Sequence, residues 1–183
     1  MTRPKIVLYN PHAVFWTMPL GLLAVSSALD PARFDVRIID ARLDADALNV
    51  ALAEARDALC FGVTVLTGAP IRDALAVTRA VKAARPDLPV VWGGWHPSLF
   101  PRECLDEPTV DAVVSGQGEE TFAEIVERYA AGRDLAGVAG VTWRDRHGAV
   151  IQNIPRPLRD VNALPPLNYD LIPVEAYFAR KGK

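Results

Sequence analysis

The chain has 183 residues, half of them hydrophobic, and a formal net charge of −2, which suits one domain of about 150 residues with an extension and a sizeable core. That balance argues against disorder and against a basic surface that follows a phosphate backbone, so no direct nucleic-acid partner is expected. Cys60 and Cys104 stand far apart with no CxxC or CxxxCxxC, so neither a disulfide framework nor a cysteine-built metal site is expected.

Taken in order, Lys5 to Tyr9 is a short apolar run that ends at Asn10-Pro11, and Thr2-Arg3-Pro4-Lys5 leads into it without the features of a signal peptide. Pro19 opens a helical segment that runs to Leu29 and is apolar on nearly every side, which places it against a sheet with little water contact. The apolar stretch Met18 to Ala28 is interrupted by Gly21, Ser26 and Ser27 and is too short to cross a bilayer. A cytoplasmic protein with no membrane partner is expected. Val36 to Asp40 follows as a strand, and Asp44 or Asp46 is placed to cap a helix carrying Leu48, Leu52 and Ala55.

Ala58 to Val63 is an unbroken apolar run, as expected of a central parallel strand covered on both faces. Thr64-Val65-Leu66-Thr67-Gly68 forms the loop behind it, and a helix follows from Pro70 to Arg85. Pro89 to Trp92 is the next strand and stops at Gly93-Gly94-Trp95-His96-Pro97. With no Cβ, Gly93 and Gly94 leave room for a flat or bulky group to lie against the main chain. Pro101 to Leu105 suits one helical turn and Val110 to Val114 a strand. Ser115-Gly116-Gln117-Gly118-Glu119-Glu120 then leads into a helix with Phe122, Ile125, Val126 and Tyr129 on one face, closed by Gly132. Val138 to Arg144 and Ala149 to Ile154 read as a hairpin around Arg146-His147-Gly148, and residues 155–183, with five prolines and no clear period, as an extended linker.

This alternation predicts an α/β fold: a flavodoxin-like (Rossmann-like) doubly wound five-stranded parallel sheet of order 2-1-3-4-5, with its ligand at the carboxyl ends of the strands. A phosphoacceptor site is excluded because Asn10, Val63-Thr64 and Ser115 stand where it needs an acidic cluster, an aspartate and a lysine. GxGxxG after the first strand, GxxxxGK[ST] and GxSxG are all absent. Gly116-Gln117-Gly118 offers backbone N–H groups to an amide or phosphate oxygen.

Three stretches, Tyr9-Asn10-Pro11 with Pro19-Leu20-Gly21-Leu22, Gly93-Gly94-Trp95-His96-Pro97, and Gly116-Gln117-Gly118-Glu119-Glu120-Thr121-Phe122, together resemble one family. It is the cobalamin-binding domain that precedes the barrel of cobalamin-dependent radical S-adenosylmethionine enzymes, and the likeness spans nearly the whole chain. The wider cobalamin family carries DxHxxG, then SxL, then GG. Thr64-Val65-Leu66 stands at SxL, and the 26 residues between Leu66 and Gly93 match the family's spacing. At the first motif only His12 agrees, with Asn10 for the aspartate and Phe15 for the glycine.

The resemblance implies that cobalamin is the cofactor. Its nucleotide tail would pass Gly93 and Gly94, with Thr64 and Leu66 lining the passage and residues 10–16 near the corrin. The implied cofactor-binding set is completed by Val65, Thr67, Trp95, His96, Gly116, Gln117, Gly118 and Glu119. His12 is the candidate lower ligand to cobalt, but a metal-bound imidazole is usually oriented by a carboxylate or carbonyl. Without the aspartate, a base-off mode with no protein ligand is favoured. Replacing Gly94 by Val is expected to abolish uptake and leave the fold intact. Trp16 and Trp95 read as packing aromatics before they read as cofactor platforms, and Glu119 and Glu120 as favourable charges at a helix start.

Residues 1–134 are thus expected to form the cobalamin-binding domain, 135–154 a hairpin extension, and 155–183 a linker toward a radical S-adenosylmethionine barrel in cis or in trans. A 4Fe-4S cluster and S-adenosylmethionine would belong to that barrel, so this chain alone binds and does not catalyse. Two alternatives stand beside this reading: a cofactor-free α/β interaction module, and an enzyme domain that holds another nucleotide-like ligand at the same edge.

Overall fold

The apolar run after Ala58 becomes the strand from which the sheet grows in both directions. In the computed structural model, which describes residues 3–14 and 16–180, Phe15 and the last three residues lie outside the described part. The strands are β1 (Lys5–Asn10), β2 (Asp35–Asp40), β3 (Ala58–Thr64), β4 (Val90–Gly93), β5 (Ala112–Val114), β6 (Val141–Arg144) and β7 (Val150–Gln152). They lie in the order β2-β1-β3-β4-β5-β6-β7. The β2 to β5 part is parallel and has the expected order.

The sheet has seven strands where five were expected, because the hairpin joins it. β6 pairs antiparallel with β5, Val114 opposite Val141, and β7 pairs with β6. Buried and apolar throughout, β5 would otherwise present an open edge, and β6 with its buried Val141 and Trp143 closes it.

The helices are α1 (Leu20–Ser27), α2 (Ala47–Ala55), α3 (Pro70–Ala84), α4 (Trp95–Leu99), α5 (Pro101–Leu105), α6 (Glu119–Ala130) and α7 (Val174–Arg180). The period-two alternation of β3 splits the core: Cys60 faces the layer that holds Leu22, Phe122 and Ile125, and Phe61 the layer that holds Ala51, Val77 and Val81. So α1 and α6 cover one face, α2 and α3 the other.

Three local expectations change. Neither Asp44 nor Asp46 caps α2: the Asp44 carboxylate accepts from the Asp46 N–H at 2.8 Å and Asp46 from the Asn49 amide at 2.5 Å. The turn after Gly94 is itself helical and forms α4. The C-terminal stretch is extended only at first, then forms 3-10 turns at Val161–Ala163 and Tyr169–Leu171 and the helix α7. It packs back on the domain, with Ile172 and Tyr177 buried beside Leu23 of α1. No helix among the described residues is long and apolar enough to cross a membrane.

Candidate functional site

β1, β3, β4 and β5 all finish at one edge of the sheet, and there a cleft of about 230 Å³ opens between the strand ends and helices α1 and α6. Leu8, Gly62, Val91 and Val114 form its floor, α1 contributes Gly21, Leu22, Ala24 and Val25, and Phe122 closes the α6 side. The walls are mainly apolar because α1 carries no charge and each strand presents its buried face.

Glycines shape the cavity. A Cβ added at Gly21 or Gly116 would meet nothing within 4 Å, and one at Gly93 only Val114 at 3.8 Å. All three line the cleft. Gly116, at a φ of 77°, is strained for any side chain by its backbone alone, and Gly94 is both strained and crowded: its φ of 95° and ψ of −166° lie in a region essentially reserved for glycine. A Cβ there would stand 2.8 Å from Thr64 Oγ1 and 3.1 Å from the Val65 backbone. It is needed for the close passage of two loops of this chain, which the hydrogen bonds Val65 N–H to Gly93 O and His96 N–H to Val65 O also knit together.

Of the residues singled out from the sequence, Thr64, Gly93, Gly94, Gly116, Gln117, Gly118 and Glu119 line this cleft. The others lie elsewhere. Val65 is fully buried in the opposite core layer. Leu66 and Thr67 are exposed, and Thr67 Oγ1 lies 3.3 Å from His96 Nδ1. His96 lines a separate hollow beside Trp92 and Phe100. Trp95 is 66% exposed on the rim.

Asn10 ends β1 with its side-chain Nδ2 buried and without a hydrogen-bond partner among the described residues. His12 is exposed, and its backbone N–H donates to Asp73 Oδ2 at 2.8 Å. The Tyr9 hydroxyl donates to the same carboxylate oxygen at 3.1 Å. Burial, then the Asp73 charge, pushes the Tyr9 hydroxyl well above the usual tyrosine range, so it stays a donor. Asp73 thereby fixes the start of the β1–α1 loop. Among the described residues no group of three or more His, Cys, Asp or Glu could hold a metal ion. Both cysteines are buried, and burial pushes the Cys60 thiol up to about 12, so it stays inert in the core.

Sequence reasoning missed the wall supplied by Gly21, Leu22, Ala24 and Val25, and Gly62 in the floor. The signals were present: a glycine inside a helix apolar on every side, and a glycine within a buried strand, which marks close approach of another group. Gln117 was expected to orient a ligand, but its side-chain amide already pairs with the linker. It accepts from the Arg159 N–H at 2.7 Å and donates to the Arg159 carbonyl at 3.3 Å.

Residues 9–126, from the end of β1 into α6, match the B12 binding domain family. The chain belongs to the B12-binding domains. Cobalamin is therefore the ligand that the family supports for this chain.

Among curated relatives, an uncharacterized methyltransferase of Pyrococcus horikoshii, PH0819, is 37% identical over 168 residues, covering 88% of this chain and 35% of the relative. Two solved structures share the fold. One is the radical S-adenosylmethionine methyltransferase TsrM from Kitasatospora setae with cobalamin and a 4Fe-4S cluster bound, with a TM-score of 0.73 and 24% identity over 91% of this chain and 31% of that one. The other is the cobalamin-dependent S-adenosylmethionine radical enzyme OxsB with aqua-cobalamin and S-adenosylmethionine bound, with a TM-score of 0.79 and 18% identity over 97% of this chain and 25% of that one. The chain spans about a third of the length of the curated relatives it matches.

Proposed function

We propose that this B12-binding domain holds cobalamin by its nucleotide tail and presents the corrin to a radical S-adenosylmethionine catalytic domain. The observation that carries the reading is the apolar cleft at the sheet's carboxyl edge, kept open where Gly21, Gly93 and Gly116 lack a Cβ. At about 230 Å³ it falls below the roughly 300–1,000 Å³ of pockets that engulf a drug-sized ligand. It suits a flat heterocycle with its sugar and leaves the broader corrin outside, against the rim of the β1–α1, β3–α3 and β4–α4 loops. There His12, Leu66, Thr67 and Trp95 are exposed to the ring, with Asn10 and His96 set back behind them, and Thr64, Gly93 and Gly116 to Glu119 are available to the tail.

If contact removes about 300 Å² of apolar surface from water, roughly 25 cal/mol/Å² gives on the order of 7 kcal/mol before association costs, so burial dominates affinity. Hydrogen bonds at about 1 kcal/mol each set orientation. When bound, the group supplies a cobalt centre that carries a methyl group or handles electrons. The chain's own part is to bind the tail, exclude water from it and orient the ring. His12 has no hydrogen bond to its ring nitrogens among the described residues, which favours a cobalt without a ligand from this chain. The iron-sulfur cluster and S-adenosylmethionine would be held by the attached domain.

The test mixes the purified chain with hydroxocobalamin and records the visible spectrum after gel filtration. Stoichiometric uptake with a shifted corrin spectrum is expected, and Gly21→Phe, a bulky change at a lining position where an added Cβ meets nothing within 4 Å, should abolish it. Absence of uptake by the natural chain, or full uptake by Gly21→Phe, would contradict the reading.

A further inference from the structure

The stretch expected to be a linker is fastened to both loops that flank the cleft. At its near end Arg156 Nε donates to Thr121 Oγ1 at 2.8 Å and its guanidinium pairs with Glu124. Arg159 bonds Glu120 at 2.8 Å and Gln117 through its backbone. At its far end the Tyr177 hydroxyl donates to Asp40 Oδ2 at 2.6 Å, inside a buried pair in which Arg42 Nε and Nη2 reach the two carboxylate oxygens at 2.9 and 2.7 Å. Trp16, in the β1–α1 loop, donates its Nε1–H to the Tyr177 carbonyl at 3.0 Å, with the two rings 5.8 Å apart. Between these anchors the Asn168 N–H donates to Ser27 Oγ at 2.9 Å, and Ile172 and Tyr177 pack on Leu23.

So α1 has one side in the cleft, through Leu22 and Val25, and the other under this segment. That is why it is apolar all round. No residue beyond Phe122 lines the cleft among the described residues, so any effect of the segment on the cleft must pass through the elements it touches: α1, the β1–α1 loop, and Gln117 with the start of α6.

We propose that residues 156–177 form a clamp across α1 that fixes this wall of the cleft, so that docking of the clamp and occupancy of the cleft are reciprocally coupled, with Tyr177 a positioning residue. This rests on the cobalamin reading above. Because coupling between two equilibria is mutual, cofactor bound in the cleft must tighten the clamp as much as the clamp tightens the cofactor.

Amide hydrogen exchange and hydroxocobalamin titrations on the full chain test it. With saturating hydroxocobalamin, exchange across residues 156–177 should slow although none of them touches the cleft. Tyr177→Ala should speed exchange across residues 20–27 without cofactor and weaken uptake by about fivefold or more, the lower range of measured couplings. Tyr177→Phe, which keeps the ring on Trp16 and Leu23, should recover most of the affinity, and Arg156→Ala, which releases the other anchor near the surface, should act in the direction of Tyr177→Ala.

Uptake with unchanged exchange in the clamp would overturn the proposal, as would natural affinity in Tyr177→Ala and Arg156→Ala when their clamps exchange freely. The two readings fail differently: a natural chain that takes up no hydroxocobalamin removes the cofactor reading and the coupling with it. Exchange across residues 20–27 that is the same in ligand-free Tyr177→Ala and the natural chain removes the clamp alone.

Discussion

Gly93 and Gly94 are neighbours with different duties, and the difference decides how each should be tested. Gly94 holds a backbone conformation that costs a residue with a Cβ about 1–3 kcal/mol, and its Cβ would also press on Thr64 and Val65. The expectation that Gly94→Val removes binding while leaving the fold therefore gives way to another. Gly94→Ala should lower stability by at least about 2 kcal/mol in urea denaturation. Gly93→Ala should move it little and weaken hydroxocobalamin uptake, since its Cβ faces the cleft at ordinary contact distance from Val114. Both glycines and the Gly116 to Glu119 loop were legible because a glycine where a strand stops is a local signal. The outward placement of Leu66 and His96 was not. Thr64 and Val65 still obey the strand's alternation, one toward the cleft and one into the opposite layer, but the next residue lies past the strand end, where no period directs a side chain.

At the scale of elements, α7 reaches the end of β2 at one buried charge pair, Asp40 with Arg42, whose titration can be followed. Burial alone would raise the Asp40 carboxyl, but its bonds to Arg42 and Tyr177 outweigh that and hold it below the usual aspartate value. Burial, then the bond to Asp40, pushes the Tyr177 hydroxyl above its ordinary value of 10.0. The signs follow from linkage. A depressed carboxyl gives stability that is present above its unfolded pKa and lost as pH falls through the folded one. A raised tyrosine gives stability that is full below about 10 and lost as pH climbs from there toward the folded value. Tyr177→Phe should thus cost about 2 kcal/mol near neutral pH, the scale of a hydrogen bond to a charged group. The gap between the urea midpoints of the two proteins should begin to narrow as pH falls below about 4 and as it rises above about 10. A gap that stays constant from pH 3 to 11 would remove the Asp40 bond as its cause. The helix α1 was legible from its composition, but its outer cover was not: Tyr177 and Asp40 are 137 positions apart, and the short α7 carries too little periodicity to announce such a contact.

For the whole molecule, the strand order through β5 was legible because βα alternation with short connections leaves few topologies. The hairpin was legible as a hairpin only, since an antiparallel pair carries no mark of the edge it will join. The resulting sheet is closed on both faces without the cofactor, with the cleft a notch in one end. The chain should therefore fold unloaded and gain stability on loading, by RT ln(1 + [L]/Kd) for a ligand that binds only the native state. At a hundredfold excess of hydroxocobalamin over its Kd the gain is about 2.7 kcal/mol. For a domain of this size, at roughly 2–4 °C per kcal/mol, Tm should rise by about 5–10 °C. Gly21→Phe should keep the unloaded Tm and lose the rise, because the position lines the notch and an added Cβ there meets nothing within 4 Å. If the rise survives in Gly21→Phe, the cofactor binds somewhere other than between α1 and the strand ends, since no tail could share that volume with the phenyl ring.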